Sequence, residues 1–283
     1  MNCPKHLLQL FCLAFFFTAC APKVVEEVVE TPPPPPPVRK DLSPCGKFFE
    51  STSPSEAEDA HVLYRDLVRM KKYEEAMPLW QKAIALAPAA DGLRDYHFMD
   101  GVKIYKYMYG KTNDVDQKSA YIDEMFKLYD EAAKCYPKKA AQYKGLKGFN
   151  LYFNYPHKST TEKTYQIFKE LADSEGTDMP FFIVNPFTAT LVELALEEKL
   201  PMDEAFKYQS LIKETIAKGV KNCEKKECES WKIIESYAPV RLEDLETIKG
   251  FYDCAYYKEK YYPEFLENPQ DCDLLTTVYS RLK

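Results

Sequence analysis

"SPSEAEDAHVLYRDLVRMKKYEEAMPLWQKAIALAP", residues 53–88, decides the fold. Ser53, Pro54 and Glu56 set out a capping box with proline at the first helical position, where its missing N–H leaves no bond unmade. Leu63, Leu67 and Met70 then fall on one face of a helix. Lys71 and Lys72 make a turn. Tyr73-Glu74-Glu75-Ala76 opens a second helix that carries Ala76, Trp80, Ala83 and Ile84 inward and closes at Pro88. The small side chains of Ala76 and Ala83 let two helix backbones approach, while Trp80 fills the space between them. The stretch reads as a helical hairpin.

Downstream the pattern repeats in looser form. Gly101 supplies a small residue in a helix predicted over 93–109; a polar loop over 111–117 precedes a helix over 119–136, with Ala132 and Ala133 inward and Pro137 closing. Gly148 and the run 165–172 make a third pair across an irregular loop at 156–161. Residues 188–198 and the helix opened by "LPMDEAF", with Ala205, make a fourth. Residues 231–237 and 242–262 suggest a fifth, atypical unit, and "EFLENPQDCDLLTTVYSRL" reads as the entry to one more pair. That last run has no polar capping helix, as a truncated C-terminus would. Only 9 glycines in 283 residues argue against a turn-rich all-β fold.

The alanines, aromatic and closing proline of residues 57–90 stand in the order of a tetratricopeptide (TPR) repeat, which this stretch resembles. It departs from that family at Tyr64, where a small glycine is usual, and at Pro78 inside the second helix. The blocks "EAMPLWQ", "DGVKIY" and "ENPQDCDLL" are similar to those of Bacteroidetes repeat lipoproteins. The resemblance implies an all-α, TPR-like helical-hairpin solenoid of about five to six pairs over 53–283, with a groove lined by the first helix of each pair. His61, Arg65 and Arg69 recur every four residues; in the repeat family such a stripe faces the groove, and Tyr105, Phe149 and Tyr152 follow on later first helices. Some relatives hold a peptide's terminal carboxylate with basic residues and an asparagine on the next repeat. The asparagine is missing here, so that clamp is not carried over, and a mixed basic and aromatic groove for an extended acidic or aromatic peptide is the expectation.

The N-terminus places the chain. Lys5 gives a short positive region, and 7–17 is an apolar run of signal-peptide length, well short of the ~20 residues that cross a bilayer. Phe17-Thr18-Ala19-Cys20 resembles the bacterial lipobox, with Phe where Leu is more usual. The resemblance implies cleavage after residue 19 and acylation of Cys20, and several acyl chains on one cysteine anchor a protein firmly. Residues 20–52 then read as a disordered linker whose six prolines, Pro32 to Pro37, give roughly 19 Å of stiff reach at about 3.1 Å each. The expected location is the outer membrane, lipid-anchored, facing periplasm or cell surface.

Nine cysteines divide accordingly. Cys3 and Cys12 leave with the leader and Cys20 takes lipid. Cys45, Cys135, Cys223, Cys228, Cys254 and Cys272 remain, an even set for disulfides in an exported protein. The local pairs Cys223–Cys228 and Cys254–Cys272 are the expected bridges. Cys-x₄-Cys lacks zinc or redox spacing, so no metal and no cofactor is expected.

No catalytic constellation emerges. Gly110-Lys111-Thr112 echoes the end of a phosphate loop, but Tyr105 stands where that loop needs glycine. Asp114 and Asp116 lack the remaining ligands of a calcium loop. His61, His97 and His157 have no zinc-spaced partner. A formal charge of −6, one unit more negative once Lys5 is removed with the leader, gives no footprint for nucleic acid. The expectation is a non-enzymatic scaffold that binds a protein or peptide partner in an envelope assembly, secretion or motility complex. The alternative is a glycan-binding outer-membrane lipoprotein.

Overall fold

The computed structural model describes residues 44–282. The leader, the lipidation residue Cys20 and the six prolines lie outside the described residues. Within them the chain is all-helical, with no strand. The helices are α1 (Pro54–Arg69), α2 (Tyr73–Leu86), α3 (Tyr96–Lys111), α4 (Val115–Cys135), α5 (Ala140–Phe153), α6 (Thr161–Glu175), α7 (Phe181–Leu196), α8 (Met202–Asn222), α9 (Lys226–Leu242), α10 (Cys254–Glu267) and α11 (Cys272–Leu282). Each of α1 to α9 packs on its neighbour in sequence, and α7 also packs on α5 and α9, two positions away on either side. No described helix is long and apolar enough to cross a membrane.

The first hairpin forms where the sequence puts it, with two differences. Ser53 sits at the N-cap and Pro54 at the first helical position, but the Ser53 side chain makes no capping bond. Glu56 reaches Lys82 on α2 instead, at 2.6 Å. The buried face of α1 is Ala57, Ala60, Tyr64 and Val68, while Leu63 and Met70 are exposed at 55% and 58%. The inward face is therefore turned by about one residue from the leucine stripe. Two alanines allow α2 to lie close, and Tyr64 fills the depth behind them. On α2 the buried residues include Ala76, Trp80, Ala83 and Ile84, as the spacing requires.

Trp80 explains Gly101. A methyl group at Gly101 would stand 2.2 Å from the indole and 2.8 Å from Leu128, so the ring lies flush on the α3 backbone. Trp80 Nε1 donates to the carbonyl of His97 at 2.6 Å. Trp231 of α9 repeats the device against Gly219 of α8, where an added methyl would lie 2.3 Å from the ring. α7 is buried nearly all round, as its continuous apolar sequence demands. Its threonines stay satisfied by local bonds: Thr188 Oγ1 donates to the Val184 carbonyl at 2.7 Å and Thr190 Oγ1 to the Pro186 carbonyl at 3.1 Å.

Three sequence expectations are corrected. Part of the expected linker is structured: residues 44–50 form a strap with a 3-10 turn at Phe48–Glu50. Phe48 N–H donates to the Ala90 carbonyl and Ala89 N–H to the Gly46 carbonyl, each at 2.9 Å, and Cys45 is bridged to Cys135 at the end of α4. The second bridge is Cys223–Cys228, whereas Cys254 and Cys272 are free and exposed. Those two open successive helices of a tight hairpin. The length of α10 therefore separates them, about 20 Å at 1.5 Å per residue, far beyond the span of a disulfide. Finally, the helix expected over 242–262 is broken. A 3-10 turn at Glu243–Thr247 follows α9, Gly250 turns the chain at φ +79°, and Asp253 restarts it by accepting from Tyr256 N–H at 2.9 Å.

Candidate functional site

The residues expected to line an N-terminal groove are split up by the packing. His61 Nδ1 lies 2.8 Å from His97 Nε2, and His97 Nδ1 lies 2.7 Å from the Ala87 carbonyl. A carbonyl only accepts, so His97 carries its proton on Nδ1 and accepts from His61 Nδ1–H through Nε2. Burial depresses His97 to about 3 and, with help from Arg65, lowers His61 as well. Two histidines that look isolated in sequence thus form a neutral dyad across α1 and α3, edge-on to Phe48 of the strap. Arg65 pairs with Asp100, whose side chain is 1% exposed, and lies 3.7 Å over the Tyr96 ring. Asp100 also accepts from Lys103 at 2.9 Å. Arg69 alone faces solvent, paired with its own neighbour Asp66 at 2.8 Å. The His61–Arg65 part of the stripe is a seam between helices.

Tyr105 is likewise core: it is buried, edge-on to Trp80 at 5.3 Å and tilted against Tyr121 at 5.8 Å. Phe149 and Tyr152 do come together. Both are half-buried beside Phe153, at ring distances of 4.6 and 4.7 Å, with Phe182 of α7 6.0 Å from Phe149. Asp114 caps α4 by accepting from Gln117 N–H at 2.8 Å. Gly110, Lys111 and Thr112 sit at the C-terminal end of α3, where carbonyls and the negative end of the dipole repel phosphate. Among the described residues no group of acidic, histidine and cysteine side chains could hold a metal ion.

Two features of the second half differ from the sequence reading, in which the tyrosine-rich run over 251–265 is packing rather than a binding surface. On α9, Trp231, Ile234, Ala238 and Leu242 are buried, yet Ile233, Tyr237 and Val240 are 57%, 60% and 63% exposed. The helix is apolar on both sides, and the outer stripe follows i, i+4, i+7 spacing. The other feature is a cavity of about 610 Å³ between α8 and residues 250–256. Phe206, Gln209, Ser210 and Lys213 share one face of α8, and Phe251, Tyr252 and Tyr256 close the opposite side. Tyr252 and Tyr256 are stacked, 3.7 Å apart and 9° from parallel. Gln209 is buried and its Oε1 accepts no hydrogen bond, a state that costs about 1–3 kcal/mol. Phe206, Gln209 and Lys213 at helical spacing were the available signal, but only the turn at Gly250 brings the tyrosines over them.

Glu246 holds that turn in place. Its buried carboxylate accepts from Tyr256 at 2.8 Å, from Lys260 at 2.6 Å and from Tyr261. Tyr257 adds a bond to its carbonyl at 3.0 Å. Burial pushes the carboxyl upward, but Lys260 and the two tyrosines outweigh it and leave the group below the usual range. α10 is thereby fastened to the turn after α9. No family model matches the chain, and no curated protein or solved structure matches it significantly.

Proposed function

We propose that the chain is a lipid-anchored, TPR-like helical-repeat scaffold that binds a protein partner at the bacterial outer membrane, without catalysis of its own. The lipobox-like leader and the proline stalk support the tether, and the sequential packing of helix on helix supports the repeat architecture. The observation that carries the binding role is the outer stripe of α9. Ile233, Tyr237 and Val240 leave an apolar seam in water, on a helix whose other side is already core. A contiguous exposed apolar stripe marks an interaction surface, and one three residues long at helical spacing fits the apolar side of a partner's amphipathic helix. Arg65 and Tyr105 of the first hairpins are occupied inside the fold and are not offered to a partner.

A photo-crosslinking residue placed at Tyr237 of the full-length, lipidated chain in cells tests the proposal. A single protein species is expected to be trapped there, and Ile233→Asp should abolish the adduct while the variant keeps its helical content. A folded Ile233→Asp variant that gives the same adduct would remove α9 from the interface. Trapping of oligosaccharide with no protein would replace the scaffold reading with the glycan-binding one.

A further inference from the structure

We propose that the cavity between α8 and residues 250–256 is a binding site for a neutral saccharide of one or two rings, separate from the protein-binding stripe of α9. Its volume of about 610 Å³ lies within the range of small-molecule pockets. Gln209 is only 2% exposed, lines the cavity, and has an acceptor oxygen with no partner inside the protein. Ser210 and Lys213 stand one and four residues further along α8 and offer donors, and Glu214 offers acceptors. Among the described residues neither Lys213 nor Glu214 is in an ion pair; Lys213 instead sits 5.9 Å from the Tyr252 ring. So the polar wall both gives and takes hydrogen bonds, as a hydroxyl does.

The remaining walls are aromatic. Tyr252 and Tyr256 form a parallel pair, and Phe206 lies 6.3 Å from Tyr252 and 6.1 Å from Phe251. The negative face of an aromatic ring attracts the weakly positive C–H groups that line one side of a sugar ring. The lining carries charges of both signs, Lys213 with Glu214 and Asp253, and the two carboxylates oppose an anion. The polar groups of α8 and the tyrosine rings stand on facing walls. A ligand with a C–H face and a hydroxyl rim satisfies both at once. The Glu246 hydrogen bonds to Tyr256 and Lys260 keep the tyrosine wall fixed before anything binds.

Saturation-transfer NMR on the full chain, with cellobiose, maltose, N,N′-diacetylchitobiose and the peptide acetyl-Gly-Tyr-Gly-amide as probes, decides the matter. At least one disaccharide should bind, with the strongest transfer at its ring C–H protons. Tyr252→Ala and Gln209→Leu should each weaken binding by about tenfold, the loss of one good contact. Lys213→Met, on the rim and free of structural bonds, is expected to fold whatever Gln209→Leu does, and should weaken binding as well. Failure of all three disaccharides to bind, equal binding to Tyr252→Ala, or preference for the peptide would each overturn the assignment. The α9 adduct at Tyr237 should survive Tyr252→Ala, so this site and the scaffold reading fail independently.

Discussion

The two disulfides should stabilise the fold very unequally, and the difference can be worked out before any experiment. Cys45 and Cys135 are separated by 90 positions in sequence, Cys223 and Cys228 by 5. All four residues are half-buried, so replacement by serine perturbs similar surroundings. Closing a loop in the unfolded chain removes entropy that grows with the logarithm of loop length, which gives about 4.6 kcal/mol for the long loop and about 2.2 kcal/mol for the short one. The difference, about 2.4 kcal/mol, does not depend on the constant part of the expression. The strap stays docked without its cross-link, through the backbone bonds of 46–48 to 89–90 and the Phe48 contacts with the histidine dyad. Native-state losses are therefore small. Urea unfolding of the full chain, comparing Cys45→Ser/Cys135→Ser with Cys223→Ser/Cys228→Ser, measures both. The long-range pair should cost about twice as much as the local one. Equal costs, or the reverse order, would mean that the strap and α4 do not unfold together, and the loop argument would fail.

Glycine substitutions should split by sign. Gly101→Ala drives a methyl to 2.2 Å from Trp80 and should destabilise by about 1–3 kcal/mol despite better helix propensity, whereas Gly110→Ala, with nothing within 4 Å, should gain up to about 1 kcal/mol; thermal melts read both. Acid should unfold the first hairpins early. His97 holds its proton affinity near 3, so below the ordinary histidine value of about 6.5 the unfolded chain binds a proton the native one refuses, and stability falls by about 1.4 kcal/mol per pH unit down to about 3. A urea midpoint equal at pH 7 and pH 5 would contradict this, and His97→Gln should flatten the slope. Glu246→Gln should release α10, which hydrogen exchange would detect as faster exchange confined to residues 254–267, with α1 to α4 unchanged. Because Glu246 titrates below an ordinary carboxylate, its contribution is complete above the unfolded value of about 4.3 and disappears as pH falls through the folded one.

Much of the architecture can be read along the chain. Pro54 opens α1, the Ala76, Trp80, Ala83 and Ile84 set marks the inner face of α2, and Gly101 announces a close approach. These signals are local: propensity, capping and periodicity act over a few residues and are written in consecutive positions. What the sequence determined by itself is an all-helical chain of packed hairpins. The tertiary structure alone decided that Tyr64 rather than Leu63 faces inward, and that Cys45 bridges to Cys135. It also joined His61 to His97 and folded two tyrosines over Gln209. Each of these depends on how helices far apart in sequence are rotated and crossed against one another, which the volumes of many side chains settle together and no single stretch encodes.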